Sequence, residues 1–565
     1  MSTYNDRKNF YIQKNLNHSN YYSLLLQISQ SLPLNNNLLN KAIKDYQDEI
    51  IKTKDNSDFD LIFFIRLLYL LKNNNHISYQ STFLTISNLL KDEHFWLTKN
   101  EKAKCYWSEN HMICYLSSWY LWNQLNNICD SQCDLLLTTY LETKAKYAFY
   151  EAYSQVYNMY TLSALLNIYD FALDNTLKNS ALTSINTLCR QFLEVNLLNG
   201  STFCASTRTY QRYKTSSLQN NHNKLLHLLS GNNQESELSP IGSFMVTSSY
   251  VPNIDYSTFT NKYHVTYNIG NTDFDKVYSK LSRTNKTLFQ WSAGNYFNEY
   301  IDDTLDLMDK YNLDNHSHFK SEPYTTILNL FPNSVLKSTS STLKAFTDCS
   351  DLTNVNYNIY NNGNYSFTCL ENYNRGKMGA QQLPFIINLD GTPIFTQSGK
   401  VSSVGNLDEA NGNSHLPYVK QEKNIALVMY QPYDLIKSSA KAANLDLTVY
   451  LYLNQSDFDE VIQNKNWIFV RKNNSYAAIY STTLKKDSLN NYFNDNTNQQ
   501  GWIFILGNSS EYKDFSTFQN QILQKCAFQF RIIKPNKSIW DKLTDSDNYY
   551  YGKITFNNIS FDMKW

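Results

Sequence analysis

The sequence has no excess of either charge. Fifty Lys and Arg residues balance fifty Asp and Glu residues among 565, and charged residues make up only 18% of the chain. Proteins that bind nucleic acids carry a basic surface that neutralises phosphates. The balanced composition therefore argues against nucleic acid as a partner.

Long apolar runs are also missing. A membrane-spanning helix needs about 20 consecutive apolar residues. The most apolar segment, residues 61–71, is short and is interrupted by Arg66, which predicts a buried helix. The first residues lack the basic and then apolar pattern of a signal peptide. We therefore expect an intracellular protein without a membrane partner.

The cysteines do not have the spacing of a disulfide framework. The nine cysteines are odd in number, and no Cys-x-x-Cys occurs. Such a pattern is typical of reduced thiols in an intracellular compartment rather than of a disulfide-stapled domain.

Motifs that hold a nucleotide cofactor, a catalytic zinc or a nucleophilic serine are absent from the sequence. It contains no Gly-x-Gly-x-x-Gly, Walker A, Gly-x-Ser-x-Gly or His-Glu-x-x-His segment. The ten histidines are dispersed, and His316 with His318 forms a lone His-x-His. We expect no cofactor and no metal.

The first part of the chain has helical apolar spacing, with short gaps that are typical of helical hairpins. Helices are predicted at 21–31, 37–54, 58–73, 80–91, 109–127, 131–150, 153–175, 178–198, 219–230, 273–283 and 296–312.

The pattern changes near residue 315 to short alternating runs bounded by Asn, Gly and Asp. Strands are predicted at 354–360, 365–370, 426–430, 446–453, 467–470, 477–482, 502–506 and 551–559, with one helix at 515–524. Repeated short strands with polar turns favour an antiparallel sandwich. The fold class is therefore α+β and multidomain, with helical hairpins in residues 1–315 and an antiparallel β-sandwich in residues 316–565.

The densest group of chemically active side chains is Trp107-Ser108-Glu109-Asn110-His111, at the predicted start of a helix. Ser108 suits the N-cap position. The free N–H groups of a helix start favour an anionic ligand. The alternative interpretation is a buried polar network that caps the hairpins.

This pentapeptide resembles a Trp-Ser/Thr-Glu-Asn-His element of a bacterial and eukaryotic branch of the heparinase II/III-like α/α-toroid polysaccharide lyase superfamily. Further similar segments are Ser154-Gln155-Val156-Tyr157 with the helix 164–172, Ser206-Thr207-Arg208-Thr209-Tyr210, Glu371–Gly376 and Trp502–Gly507. Ser206 and Thr207 stand where that group usually has His and Gly. The resemblance implies an N-terminal (α/α) toroid followed by a β-sandwich.

The resemblance also implies a reaction, in which uronate-containing glycans are cleaved by β-elimination. A lyase must neutralise the sugar carboxylate, remove the C5 proton and protonate the leaving oxygen. In the toroid lyases Asn, Gln or Glu serves the first step, and Tyr and His serve the others. Asn110, His111, Tyr157 and Arg208 are accordingly the expected catalytic residues, and an acidic polysaccharide or oligosaccharide is the expected partner.

Tyr157 belongs to a predicted helix-face row with Tyr153 and Tyr160. Because a phenol ordinarily has a pKa near 10, an acid–base role requires a cation such as Arg208 to lower it. The alternative for the row is an aromatic core stripe.

Other aromatic and charged side chains suit substrate binding. Arg208, Tyr210, Arg212 and Tyr213 form a cluster that suits a carboxylate or sulfate, or else a solvated face. Trp291 suits stacking on a sugar ring, or packing between the two halves. The expected substrate-binding residues are Trp107, Glu109, Tyr210, Arg212 and Trp291.

Two other functions stay open from the sequence. One is a non-catalytic glycan-binding or structural protein, which the departures at Ser206 and Thr207 favour. The other is a glycoside hydrolase, which needs two carboxylates, although Glu109 has no evident second carboxylate in these motifs.

Overall fold

The computed structural model describes residues 3–52, 56–74, 79–104, 108–217, 221–231, 237–260, 262–270, 273–296, 300–320, 328, 331–338, 354–373, 381–399, 415–430, 446–533 and 549–564. Its helices are α1 Tyr4–Asn15, α2 Ser23–Ser29, α3 Asn36–Ile51, α4 Ser57–Lys72, α5 Tyr79–Leu90, α6 Glu109–Leu125, α7 Ser131–Tyr147, α8 Asn158–Phe171, α9 Asn175–Glu194, α10 Gln211–Thr215, α11 Asn221–Ser230, α12 Pro240–Thr247, α13 Ser257–Thr260, α14 Phe274–Val277, α15 Arg283–Ser292, α16 Ile301–Tyr311 and α17 Phe515–Lys525.

The strands are β1 Tyr263–Ile269, β2 Val355–Asn361, β3 Tyr365–Glu371, β4 Phe385–Leu389, β5 Thr392–Ser398, β6 Tyr418–Glu422, β7 Ile425–Tyr430, β8 Val449–Tyr452, β9 Glu460–Asn464, β10 Trp467–Lys472, β11 Ser475–Ser481, β12 Lys485–Lys486, β13 Tyr492–Asn494, β14 Gln500–Asn508, β15 Ala527–Ile533, β16 Tyr549–Phe556 and β17 Ile559–Lys564.

Successive helices pack against one another, and the last helices of the run pack against the first. α4 lies against α2, α6 and α8, while α7, α9 and α11 follow one another on the next layer. α1 packs against α11 and α12 and so joins the first helix to the last ones of the run. The predicted arrangement of helical hairpins closing into a ring is thereby confirmed.

α4 is buried almost all round, as its continuous apolar sequence predicts. Its single arginine, Arg66, is fully buried and donates to Asp170 and Asn167 of α8. Its guanidinium also lies 5.3 Å from the ring centres of Phe171 and Phe244. A buried charge needs such partners, so Arg66 ties α4, α8 and α12 together. Among the described residues, no helix is long and apolar enough to cross a membrane.

Antiparallel sheets form the second half, in three layers. An eight-stranded sheet runs β1-β2-β3-β4-β5-β8-β13-β12, a six-stranded sheet runs β6-β7-β14-β11-β10-β9, and a third sheet runs β15-β16-β17. Successive side chains of a strand point to opposite faces. On β7, Ala426 and Val428 therefore face the eight-stranded sheet, while Leu427 and Met429 face the third sheet and α17. The predicted sandwich is confirmed, with the six-stranded sheet as its middle layer.

The helical and strand-rich halves share a core. Tyr153 and Ala205 pack against Tyr357 and Ile359 of β2. β1, which lies within residues 1–315, forms the edge of the eight-stranded sheet and pairs with β2 from Tyr263↔Asn361 to Ile269↔Val355. A domain boundary near residue 315 stays a prediction.

The predicted helix 153–175 is wrong at its start. α8 begins at Asn158, with Tyr157 in the N-cap position. Tyr153 has φ +51°, which a continuous helix does not allow. Its ring instead stacks on Tyr357 with centres 3.7 Å apart. The predicted row of Tyr153, Tyr157 and Tyr160 on one helix face therefore does not exist.

Candidate active site

Three helical-half segments and one strand-half residue meet around the start of α6. The segments are the first turn of α6, the irregular connection from Ala148 to Tyr157, and the loop from Ser206 to Tyr210. Gln381 approaches from the strand-rich half, where Thr209 N donates to Gln381 O and Ser206 pairs with Leu383. This junction gathers most of the sequence-predicted site residues.

Glu151 is the centre of a buried network and was not predicted. Its carboxylate accepts hydrogen bonds from the backbone N and the side-chain Nδ2 of Asn110, at 3.2 and 2.8 Å. Nη1 of Arg208 donates to the same carboxylate at 3.1 Å. Burial raises the pKa of Glu151, while the charge of Arg208 opposes the rise. The Asn110 side chain is fully buried, so it belongs to this interior network rather than to an open cleft.

Glu109 points into the same interior. Its Oε1 accepts from the backbone N of Glu151 at 2.6 Å, and its Oε2 lies 2.7 Å from Nζ of Lys144. The Lys144 ammonium also lies 3.4 Å from the ring centre of Tyr150. Because Glu109 is fully buried, this placement favours the alternative of a capping network for Glu109.

His111 forms a dyad with Asp58 of α4. Its Nδ1 lies 2.9 Å from Oδ2 and 3.0 Å from Oδ1 of Asp58. Phe59 stacks on His111, with ring centres 4.8 Å apart, and on Tyr160 at 3.6 Å. A carboxylate on one ring nitrogen fixes the orientation of the imidazole. The dyad is therefore built like an oriented acid–base pair.

Tyr157, Arg208 and Tyr210 form one cluster. The hydroxyls of Tyr157 and Tyr210 are 2.8 Å apart, and the Arg208 guanidinium lies 4.6 Å from the ring centre of Tyr157. Nε and Nη2 of Arg208 donate to Oε1 of Gln381 at 3.0 and 2.8 Å. The Arg208 side chain is 19% exposed, so this cluster reaches solvent.

The pKa of Tyr157 is raised well above its ordinary value, because burial outweighs the opposing charge of Arg208. Arg208 acts to lower the pKa of Tyr157, but the net lowering that an acid–base role was taken to require is not found. A tyrosine with a raised pKa keeps its proton at neutral pH, so the Tyr157 hydroxyl is present there as a hydrogen-bond donor.

Aromatic rings connect the His111–Asp58 dyad to the cluster of Tyr157, Arg208 and Tyr210. Tyr160, which stacks on Phe59, packs against the cluster of Val156, Tyr157 and Tyr213. The charge of His111 also acts on Glu151 and lowers its pKa. His111, Asn110, Glu109, Tyr157, Arg208 and Tyr210 are thus one contiguous group.

Ser206 and Thr207 are bound to the backbone. Ser206 Oγ donates to Arg208 O at 2.9 Å and accepts from Arg208 N at 3.1 Å. Thr207 Oγ1 donates to Tyr150 O at 2.7 Å. Both side chains shape the loop that carries Arg208, and neither reaches a cleft because both are buried.

The remaining predicted residues lie around or outside the group. Arg212 is exposed and its guanidinium lies 5.0 Å from the rings of Tyr210 and Tyr213. Trp291 is 2% exposed, lies in the helical core and donates from Nε1 to Thr304. This favours packing over sugar stacking for Trp291. Trp107 lies outside the described residues.

Three members of the site were missed by sequence reasoning. Glu151, Asp58 and Gln381 belong to none of the motifs quoted above. Only the fold brings these residues close to the motifs. A weak signal existed for Asp58, which stands with Asp60 in the first turn of a predicted helix that is mostly apolar. No local pattern marks Glu151 or Gln381.

Comparisons with known proteins give structural likeness only. No family model and no curated protein matches this chain. Among solved structures, a heparinase III is 9% identical with a TM-score of 0.37, covering 94% of this chain and 80% of its own. A second heparinase III is 9% identical with a TM-score of 0.32, over 92% and 75%. The heparan sulfate lyase HepC from Pedobacter heparinus is 10% identical with a TM-score of 0.34, over 100% and 83%.

Proposed function

We propose that this chain is a polysaccharide lyase that cleaves uronate-containing glycans by β-elimination. The observation that carries the proposal is a tyrosine–arginine cluster linked to an aspartate-held histidine through the packed rings of Phe59 and Tyr160. Arg208, Tyr157 and Tyr210 supply a cation and protonated hydroxyls, and His111 supplies a base held by Asp58. These are the groups that the reaction needs.

Arg208 would bind the sugar carboxylate. Its guanidinium is partly exposed and donates hydrogen bonds to the carboxylate of Glu151 and to the neutral amide of Gln381. The sugar carboxylate would compete with Glu151 for the Arg208 guanidinium. An arginine bound to the carboxylate withdraws negative charge, which makes the C5 proton more acidic.

His111 and Tyr157 would move the two protons. A base role at His111 belongs to Nε2, because Asp58 contacts Nδ1. The C5–H electrons form the C4=C5 bond, the C4–O bond breaks, and the leaving oxygen takes a proton from the Tyr157 hydroxyl. Tyr210, hydrogen-bonded to Tyr157, is placed to orient that hydroxyl.

Asn110 and Glu109 would act indirectly. Asn110 is buried against Glu151, so it holds the carboxylate that pairs with Arg208. In this proposal Asn110 is a positioning residue, which differs from the carboxylate-neutralising role that the resemblance implies. The burial of Glu109 and Glu151 gives no support to hydrolysis by a carboxylate pair.

The experiment is incubation with a panel of uronate-containing polysaccharides, followed by ultraviolet absorbance. β-Elimination creates a conjugated unsaturated uronate that absorbs, whereas hydrolysis does not. Replacing Tyr157 with Phe keeps the ring but removes the proton donor. We expect Tyr157→Phe to lower kcat by about 10²–10⁴-fold, the usual contribution of a positioned acid.

The matched control is Tyr250→Phe. Tyr250 is also buried and donates to Asn186 at 2.7 Å, but it lies outside the site. This variant should keep the wild-type rate. Equal rates for Tyr157→Phe and wild type would remove Tyr157 from the mechanism, and reducing ends without absorbance would indicate hydrolysis.

A second candidate is a non-catalytic glycan-binding protein. The observation that favours it is Ser206, which stands where the resembling group usually has His and is bound to the backbone. In that case no panel member yields unsaturated product, while binding measured by calorimetry survives in His111→Ala and falls in Arg208→Met.

A further inference from the structure

A cavity outside the candidate active site opens between α6, α7, α15 and the end of α16. It encloses about 400 Å³ and is lined by Glu93, Trp96, Trp119, Gln132, Asn285 and Tyr311, among others. None of these residues belongs to the cluster around Glu151. Trp119 lies eight residues beyond His111 on α6, or about 12 Å along the axis at 1.5 Å per residue.

Two tryptophans form its apolar wall. The rings of Trp96 and Trp119 are nearly parallel, with centres 6.0 Å apart and planes at 26°. Trp96 is almost buried, at 8% exposure, whereas Trp119 is half-buried. An aromatic face that stays partly open beside polar groups suits a flat ring that has both apolar C–H faces and polar edges.

The polar groups of the cavity are oriented but uncharged overall. Trp96 Nε1 donates to Asn285 Oδ1 at 3.2 Å, which fixes the amide so that Nδ2 is the end left for a ligand. Gln132 adds an exposed amide. Glu93 is already engaged, since Oε1 lies 2.7 Å from Lys104 Nζ and Oε2 accepts from the Tyr46 hydroxyl at 2.6 Å.

We propose that this cavity is a carbohydrate-binding site that takes a neutral sugar ring of a glycan, stacked on Trp119 and hydrogen-bonded by the Asn285 and Gln132 amides. A neutral ring fits because Glu93, the one carboxylate among the described residues that line the cavity, is paired with a lysine and a phenol. The site is independent of the proposed lyase reaction, and binding there does not require catalysis.

The test uses the whole chain labelled with 5-fluorotryptophan and followed by ¹⁹F NMR. Trp119→Phe and Trp96→Phe assign the two resonances. Neutral tetrasaccharides of glucose, mannose and N-acetylglucosamine are the probes. We expect at least one to shift the Trp119 and Trp96 signals while the signals of the core residues Trp291 and Trp502 stay in place.

Calorimetry with the tetrasaccharide that binds best then measures the contribution of the stack. Trp119→Ala should weaken binding by about tenfold or more, as loss of an aromatic contact predicts. Tyr120→Ala is the matched control, since Tyr120 is the adjacent half-buried aromatic on α6 and does not line the cavity. It should bind as wild type does.

Three outcomes would overturn the proposal. One is the absence of any shift at Trp119 with all neutral probes. Another is a shift only with N-acetyl-leucine amide, which would indicate a pocket for peptide side chains. The third is a shift only with a uronate tetrasaccharide, which would make the cavity part of acidic-glycan binding.

Discussion

At the scale of single residues, the site depends on a buried carboxylate that carries several partners. Glu151 is 2% exposed and accepts from Asn110 and Arg208. Removing one partner of a buried ion pair costs far more than removing a surface partner, because the other charge is left without compensation. Glu151 is therefore as much a structural element as a part of the site.

We predict that Glu151→Gln lowers the free energy of unfolding by about 3 kcal/mol. The amide keeps one acceptor for Arg208 but removes the charge and places an N–H₂ beside Asn110 Nδ2. Urea unfolding at neutral pH measures the change. A loss below about 1 kcal/mol, the usual size for exposed pairs, would mean that Glu151 does not hold the network.

Glu460→Gln is the matched control. Glu460 pairs with Arg471 at 3.3 Å, but its side chain is 42% exposed. An exposed pair is screened by water, so we expect a loss of at most about 1 kcal/mol.

At the scale of elements, the helix that carries the site starts in an unusual way. Ser108 occupies the N-cap position of α6 but makes no cap hydrogen bond to the backbone. Its Oγ accepts from Asn110 Nδ2, and the backbone N of Asn110 is bound by Glu151 from another segment. α9 starts in the ordinary way, with Asp174 accepting from the backbone N of Thr176 and Leu177.

We predict different costs for removing the two N-cap side chains. Asp174→Ala should lower the free energy of unfolding by about 1 kcal/mol, the usual value of a side-chain cap. Ser108→Ala should cost less, because Glu151 keeps both Asn110 donors. Thermal unfolding of the two variants side by side tests this, and a larger loss for Ser108→Ala would contradict it.

At the scale of the whole molecule, a second buried carboxylate joins the helices to the edge of the eight-stranded sheet. Glu194 at the end of α9 is fully buried and accepts from the Tyr153 hydroxyl. On β1, the hydroxyls of Tyr263 and Tyr267 donate to it at 3.2 and 3.1 Å. Arg190 faces it at 3.8 Å. Burial nevertheless raises the pKa of Glu194.

This raised pKa predicts a pH dependence with a defined sign. A carboxyl whose pKa is higher in the folded state binds its proton more tightly there. The stabilisation by this carboxyl is complete below its pKa in the unfolded chain, about 4.3. It is lost as the pH rises through the raised pKa of the folded state. The stability of wild type relative to Glu194→Gln should therefore fall as pH increases above that unfolded value.

Urea unfolding across a pH series measures this difference. Asp255→Asn is a control of opposite sign, because hydrogen bonds from Ser257 lower the pKa of Asp255. The stability of wild type relative to that variant should rise with pH below neutrality. A flat or rising difference for Glu194→Gln would contradict the prediction.

The sequence by itself determined the type and order of the main helices and of the strands β2, β3, β7, β8, β10, β11, β14 and β16. The long apolar run of α4 and the short runs rich in aromatic and β-branched residues in β10 and β14 are local properties, and each favours one kind of backbone before any partner is present. The resemblance of residues 107–111 also led to the start of α6 and to the site around it. β1 was missed, although its residues alternate in burial, because its position inside the helical half hid the pattern.

Only the tertiary structure decided which side chains meet at the candidate site. Asp58 and His111 are separated by 53 residues, Asn110 and Glu151 by 41, and Arg208 and Gln381 by 173. Which side chain meets a buried carboxylate depends on how the helices and the sheet pack, and no local pattern encodes that. Burial likewise set the pKa of Tyr157, because desolvation is a property of the surroundings rather than of the residue.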